Sequence, residues 1–268
     1  MKPRALSSGV VCVTVWCLLG LPSPAQIPVG GRFPDPPKSD TPSRPAPRLA
    51  DGHPDLGNGR GSWNPRIIEN IAGVGPGAPA RTPVEHVVDV PFQPWAKKYY
   101  EEQLASLSKN DPEGLCLPPG IPRMLATPFP FQIFQQPDRV IFLFEGGTHI
   151  FRTIFTDGRP HSKDPNPSFL GESIGHWEGD TLVVDAIGFN DESWLDQDGH
   201  PHTDALHVIE RYTRTDEITL HYEATIDDPK AYTKSWSTGY TIPWQPGAEL
   251  LEYICQENNK DTPHLVGK

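Results

Sequence analysis

His200, His202 and His207 fall within eight residues of one another, in a segment (190–207) that also carries Asp191, Glu192, Asp196, Asp198 and Asp204. Neutral imidazole is a good ligand for zinc, copper, iron or nickel, and nearby carboxylates can complete such a shell. Pro201 between two histidines favours an extended arrangement that could present both rings to one ion. The resulting expectation is a divalent transition metal held by His200, His202 and His207. The spacing matches no strong signature such as HExxH. The competing reading is a solvated loop with pH-sensitive hydrogen bonds, because exposed loops collect His and Asp.

A second set could do acid–base chemistry. His149, Asp185, His207 and Glu210 stand in or beside strand-like runs. A carboxyl group turned into a barrel loses solvation, its pKa rises, and a neighbouring imidazole then completes a general base. The competing reading is a structural ion pair, such as Glu210 or Glu145 with Arg152 or Arg211, a common way to satisfy interior charge. A third set, Arg152, Trp177, Phe189, Trp194 and Tyr212, could hold an apolar or aromatic ligand, with Trp236, Trp244, Tyr222 and Tyr240 as further lining. No serine-hydrolase elbow, phosphate loop, dinucleotide fingerprint or Cys–His dyad is present, so a triad built on Ser173 or Ser193 has no motif behind it.

The elements that must position these residues follow from periodicity. From Phe131 onward the apolar pattern has period two. Nine strands are expected, at 131–136, 139–145, 149–155, 172–177, 181–187, 205–213, 217–227, 232–242 and 249–257. Gly146-Gly147-Thr148 and Glu178-Gly179-Asp180 read as hairpin turns. Alternation puts Ile150, Arg152 and Ile154 on one face, Thr181, Val183 and Asp185 on one face, and Leu206, Val208, Glu210 and Tyr212 on one face. Helical patterns do not alternate with the strands, which excludes a parallel βαβ sheet. The economical solution is mainly β: an antiparallel up-and-down barrel or strongly curved sheet, because closure removes the edges. Eight to ten strands leave an interior that is filled or holds one small ligand. One helix is expected at 94–109, with Pro94 at its first position and Trp95, Tyr99, Leu104 and Leu107 as its apolar stripe. Residues 112–130 are too proline-rich for helix or ladder.

Residues 1–25 read as a secretory signal peptide: Lys2 and Arg4, an uncharged run from Ser7 to Leu21, and Ser23-Pro24-Ala25 before the cleavage point. Residues 26–92 read as a Pro/Gly-rich arm and linker, with 51–57 and 63–65 docking irregularly on a domain that spans 93–268. The chain carries a formal charge of −11, and losing the leader makes it about −13. An acidic exported protein is a poor partner for nucleic acid or anionic lipid, and no later segment is long and apolar enough for stable membrane insertion. Cys116 and Cys255 remain after cleavage. An oxidising compartment favours a disulfide between them; two buried thiols are the alternative.

The segment 173–185, Ser-Ile-Gly-His-Trp-Glu-Gly-Asp-Thr-Leu-Val-Val-Asp, with Thr156-Asp157-Gly158-Arg159-Pro160-His161 before it and Gly188-Phe189-Asn190-Asp191 after it, resembles an uncharacterised family of exported bacterial proteins. That likeness runs from about Trp95 to Lys268. The strand–Gly–Asp–strand element is also similar to lipocalin-like domains. Neither resemblance implies a reaction, so no catalytic residue is carried over. Two functions follow from the residues: an exported protein binding a small organic ligand in a barrel cavity, or a periplasmic enzyme using His/Asp/Glu acid–base chemistry, metal-assisted or not. A structural protein whose proline-rich front binds a partner is the third.

Overall fold

The computed structural model describes residues 43–73, 84–85 and 88–257, with the side chains of Thr148 and His149 excepted. The leader expected at 1–25 lies outside the described residues. The rest forms a closed barrel of nine strands in chain order: β1 (Gly61–Trp63), β2 (Phe131–Gln136), β3 (Arg139–Phe144), β4 (Phe151–Phe155), β5 (Glu172–Glu178), β6 (Thr181–Ile187), β7 (His207–Arg214), β8 (Thr219–Asp227) and β9 (Trp236–Pro246). One substantial helix, α1 (Pro94–Ala105), precedes β2.

An odd number of strands cannot reverse direction at every step around a ring. One neighbouring pair must run parallel, and that pair is β4–β5, joined through Ile154↔Ser173 and Phe155↔Ile174. The connection 156–171 therefore returns along the outside of the barrel. All other pairs, including the closing β1–β9 pair, are antiparallel.

Period two places the strands well, because each inward set is apolar enough to commit its face. The ninth strand differs from expectation. Residues 251–257 form no strand, and the ring closes through Gly61–Trp63 from the arm. Leu56, Trp63, Ile68 and Ile71 from the arm are buried in the core, so a boundary at 92 does not separate arm from barrel. Gly146–His149 is a short helical turn between β3 and β4 and not a tight hairpin. Helix α1 stops at Ala105, before Leu107 and Ser108, both of which take positive φ. Its buried face is Ala96, Tyr100 and Gln103, while Trp95 and Leu107 from the expected stripe are exposed. Cys116 and Cys255 form a disulfide with Cα atoms 5.7 Å apart.

The two ends of the barrel are built differently. At one end, tight turns join β2–β3, β5–β6 and β7–β8, and residues 44–60 pack over them. There Arg48 pairs with Asp180 at 2.6 Å, and His53 stacks on Trp177 at 4.5 Å. Arg214 lies 5.1 Å from both the Trp63 and Trp244 rings and donates to the carbonyls of Asp55 and Glu217. The other end collects the connections 145–150, 188–206 and 228–235, and with them α1.

Candidate functional site

Inside the barrel, on the side of the long connections, one charged group meets another. Arg152 on β4 and Glu210 on β7 are 2% and 0% exposed. Arg152 Nη2 donates to Glu210 Oε2 at 2.5 Å, and its Nε donates to Ser173 Oγ on β5 at 3.0 Å. The hydroxyls of Tyr212 and Tyr222 donate to Glu210 Oε1 at 2.6 and 3.0 Å. Burial works against the guanidinium charge, but the Glu210 carboxylate outweighs it and holds the Arg152 pKa above its usual value. Both Glu210 oxygens are engaged and its charge is balanced. The interior carboxylate is an ion-pair partner of Arg152, the geometry of the competing reading given above. Burial, reinforced by Glu210, keeps Tyr212 and Tyr222 protonated well beyond the normal phenol range.

Two polar groups on the inward face of β9 break this pattern. Trp236 Nε1 and Tyr240 Oη are buried and have no hydrogen-bond partner among the described residues. Trp236 stands opposite Ile226 on β8, and Tyr240 opposite Tyr222. By the register, Ile226, Val208 and Ala186 share the level of Trp236, and the next level towards Tyr240 carries Thr238, Ala224, Glu210 and Val184, all buried.

The connection 188–206 covers this end, and it is not a solvated loop. Ser193, Trp194, Leu195, Asp196, His200 and His202 are buried. Asp196 accepts from the backbone N–H groups of Ile71, Gly199 and His200 and sits 2.6 Å from His200 Nδ1. Burial alone would raise its pKa, but His200 and these donors pull it below the usual carboxylate range. The His200 ring packs against Tyr100, Phe92 and Trp236. Trp194 Nε1 donates to Tyr99 Oη at 3.0 Å, which ties the connection to α1. His202 Nε2 lies 3.0 Å from Ser193 Oγ, and His202 Nδ1 lies 3.3 Å from the Thr203 carbonyl. A ring that donates from Nδ1 accepts at Nε2, so Ser193 donates. Burial lowers the His202 pKa and favours this neutral form. Gly120, at φ +75, lets the backbone approach; a Cβ there would stand 2.7 Å from Ser193 Oγ.

On the outside, Asp185 of β6 receives two imidazoles on one oxygen. His207 Nε2 is 2.8 Å and His161 Nε2 3.1 Å from Asp185 Oδ1. The other His161 nitrogen is 3.1 Å from Glu172 Oε1, whose carboxylate also binds the Ser162 N–H and hydroxyl. Those contacts hold Glu172 below its normal pKa, the Ser162 hydroxyl contributing most.

Of the expected acid–base set, Asp185 and His207 do meet, but on the outer wall; Glu210 is inside, and the His149 side chain lies outside the described residues. The three imidazoles expected to share an ion go to three partners: His200 to Asp196, His202 to Ser193, His207 to Asp185. Of the expected ligand contacts, Arg152 and Tyr212 line the interior together. Trp177 is at the opposite end under His53, and Phe189 and Trp194 pack within the covering connection. The sequence reading names His161 and Ser193 but gives neither a role in a site. His161 sits in a turn-rich crossover with no period to place it, and Ser193 meets His202 only because the connection folds back on itself through the Trp194↔Pro201 bridge.

Compared with protein-family models, with curated proteins and with solved structures, the chain matches none.

Proposed function

We propose that this is an exported barrel protein that binds a small organic molecule, apolar or aromatic in body and carrying a hydrogen-bond acceptor, within the barrel on the side covered by 188–206. The observation that carries this reading is the pair of unpartnered groups, Trp236 Nε1 and Tyr240 Oη, in an interior whose Arg152, Glu210, Tyr212 and Tyr222 are all hydrogen-bonded. A buried donor without a partner costs about 1–3 kcal/mol, and a ligand oxygen that accepts from either group relieves it. The Cys116–Cys255 disulfide supports an oxidising compartment, hence the periplasm or exterior. The test is a panel of small aromatic and aliphatic ketones, esters and amides, read by tryptophan emission and thermal shift. Saturable binding that weakens about 5–10-fold in Trp236→Phe and in Tyr240→Phe is expected from one hydrogen bond each. Binding that is indifferent to both substitutions sinks the reading.

A second reading, an enzyme using acid–base chemistry on a small molecule, is favoured by one observation: Asp185 orients both His161 and His207 at a partly exposed surface. Turnover of any substrate that survives both Asp185→Asn and His207→Gln would remove that support.

A further inference from the structure

The outer wall of β8 carries a second grouping of ligand-type side chains, remote in the sequence from the histidine-rich connection. His221 and Glu223 alternate on one strand and so share its outward face. Glu85 reaches them from the segment before α1: its Oε2 lies 2.7 Å from His221 Nε2, and its backbone N–H donates to the Gly239 carbonyl at 2.8 Å. Among the described residues this is the one set of three or more His, Cys, Asp or Glu whose ligand atoms all lie within 4.8 Å of one another.

The sheet makes room for it. The register sets Gly239 of β9 directly opposite Glu223. A Cβ at 239 would stand 3.3 Å from Glu85 Oε2, tighter than such contacts ordinarily run, and 3.4 Å from Glu223 Cγ, at the edge of ordinary contact. A Cβ alone would make the Glu85 carboxylate give by a few tenths of an ångström, and a larger side chain would crowd both glutamates further. The glycine thus keeps a hollow in the outer wall, with one imidazole and two carboxylates around it.

We propose that Glu85, His221 and Glu223 bind a divalent first-row transition cation, with zinc as its representative. Two carboxylates and a neutral imidazole balance a double positive charge. The mixed nitrogen–oxygen donor set suits zinc, whereas magnesium and calcium prefer oxygen alone. Three protein ligands leave a coordination position for water. The cation takes the place of the His221–Glu85 hydrogen bond, and it clamps Glu85 to the barrel wall.

The experiment uses the untagged full chain, stripped with chelator and titrated with zinc sulfate, and separately with magnesium chloride, by calorimetry. One equivalent of zinc is expected to bind, with no measurable magnesium binding. His221→Ala, Glu223→Gln and Gly239→Val should each weaken zinc at least about tenfold, the loss typical of disturbing a metal's ligand surroundings. His176→Gln, on the exposed face of β5, should leave affinity unchanged. Circular dichroism and the thermal midpoint show whether each variant folds; all four positions face outward, and Gly239→Val weakens the site without removing a ligand. The proposal is overturned if zinc does not bind, if it binds equally well to His221→Ala and Glu223→Gln, or if affinity is lost in His207→Gln instead.

Discussion

Glu210 and Asp185 stand on neighbouring strands, with Val184 paired to Glu210 and Asp185 to Ile209. They are the same functional group one residue out of phase, and period two sends one inward and the other outward. Inside, Glu210 is fully buried and held by a guanidinium and two phenols. Outside, Asp185 keeps over a third of its side chain exposed and takes two imidazoles on one oxygen. The comparison separates two uses of a carboxylate in one sheet. The buried one is committed to holding a charge in place. The exposed one stays open to solvent and orients two imidazoles.

Substitutions test that separation, and the largest effect belongs to the interior. Glu210→Gln strands Arg152 as an uncompensated buried charge and should cost about 3–5 kcal/mol, read from the urea midpoint. Replacing both partners with apolar residues, Arg152→Met with Glu210→Leu, should restore much of that loss. A Glu210→Gln loss below about 1 kcal/mol would mean that Arg152 is solvated after all. Asp196 is the intermediate case, a buried carboxylate that faces three N–H donors and an imidazole. Asp196→Asn turns an amide nitrogen toward some of these donors and should cost about 2–3 kcal/mol by the same measurement.

Acid provides the next contrast. His202 has a folded pKa below its unfolded value of 6.5. Below pH 6.5 the unfolded chain takes a proton that the folded chain refuses, so stability falls on acidification, by at most about 1.4 kcal/mol per pH unit until the folded pKa is reached. His202→Gln should flatten the stability curve between pH 6.5 and 5; an unchanged slope would place the titration elsewhere. The smallest effect is expected at Asp185→Asn. An exposed pair contributes about 0–1 kcal/mol, so the thermal midpoint should barely move. A loss of several kcal/mol there would erase the distinction between the two carboxylates.

Much of this arrangement is legible in the sequence. On β6 the set Leu182, Val184 and Ala186 is wholly apolar, which already turns Asp185 outward. On β7 the Glu210 set includes Val208 and Tyr212, and the opposite set has Arg211 and His207, so Glu210 points in. What period two does not give is which charge waits across the barrel: Arg152 reaches Glu210 from β4, 58 residues earlier in the chain. The closing strand is harder still. Gly61–Trp63 is three residues in a Pro/Gly-rich arm, too short for any period, and it forms because β9 and β2 leave an unpaired gap that one short segment fills. The covering connection reads as polar and solvated because the chain there is rich in Asp and His. Its buried polar groups find partners in the same loop or the arm: Asp196 with His200 and the Ile71 N–H, and His202 with Ser193.

The disulfide has a topological result. Cys116 and Cys255 enclose β2 through β9 in a single covalent loop and leave β1 outside it. Eight staves are therefore hooped together, and the ninth slides in from the free N-terminal side like a bolt. Unfastening the wall at β1 breaks no covalent constraint; it releases the three-residue pairing with β9, the Trp63↔Phe131 contact with β2 and the burial of Trp63 and the arm residues beside it. Protease cleavage in 43–60 under native, oxidised conditions should then free the bolt while the hoop stays closed.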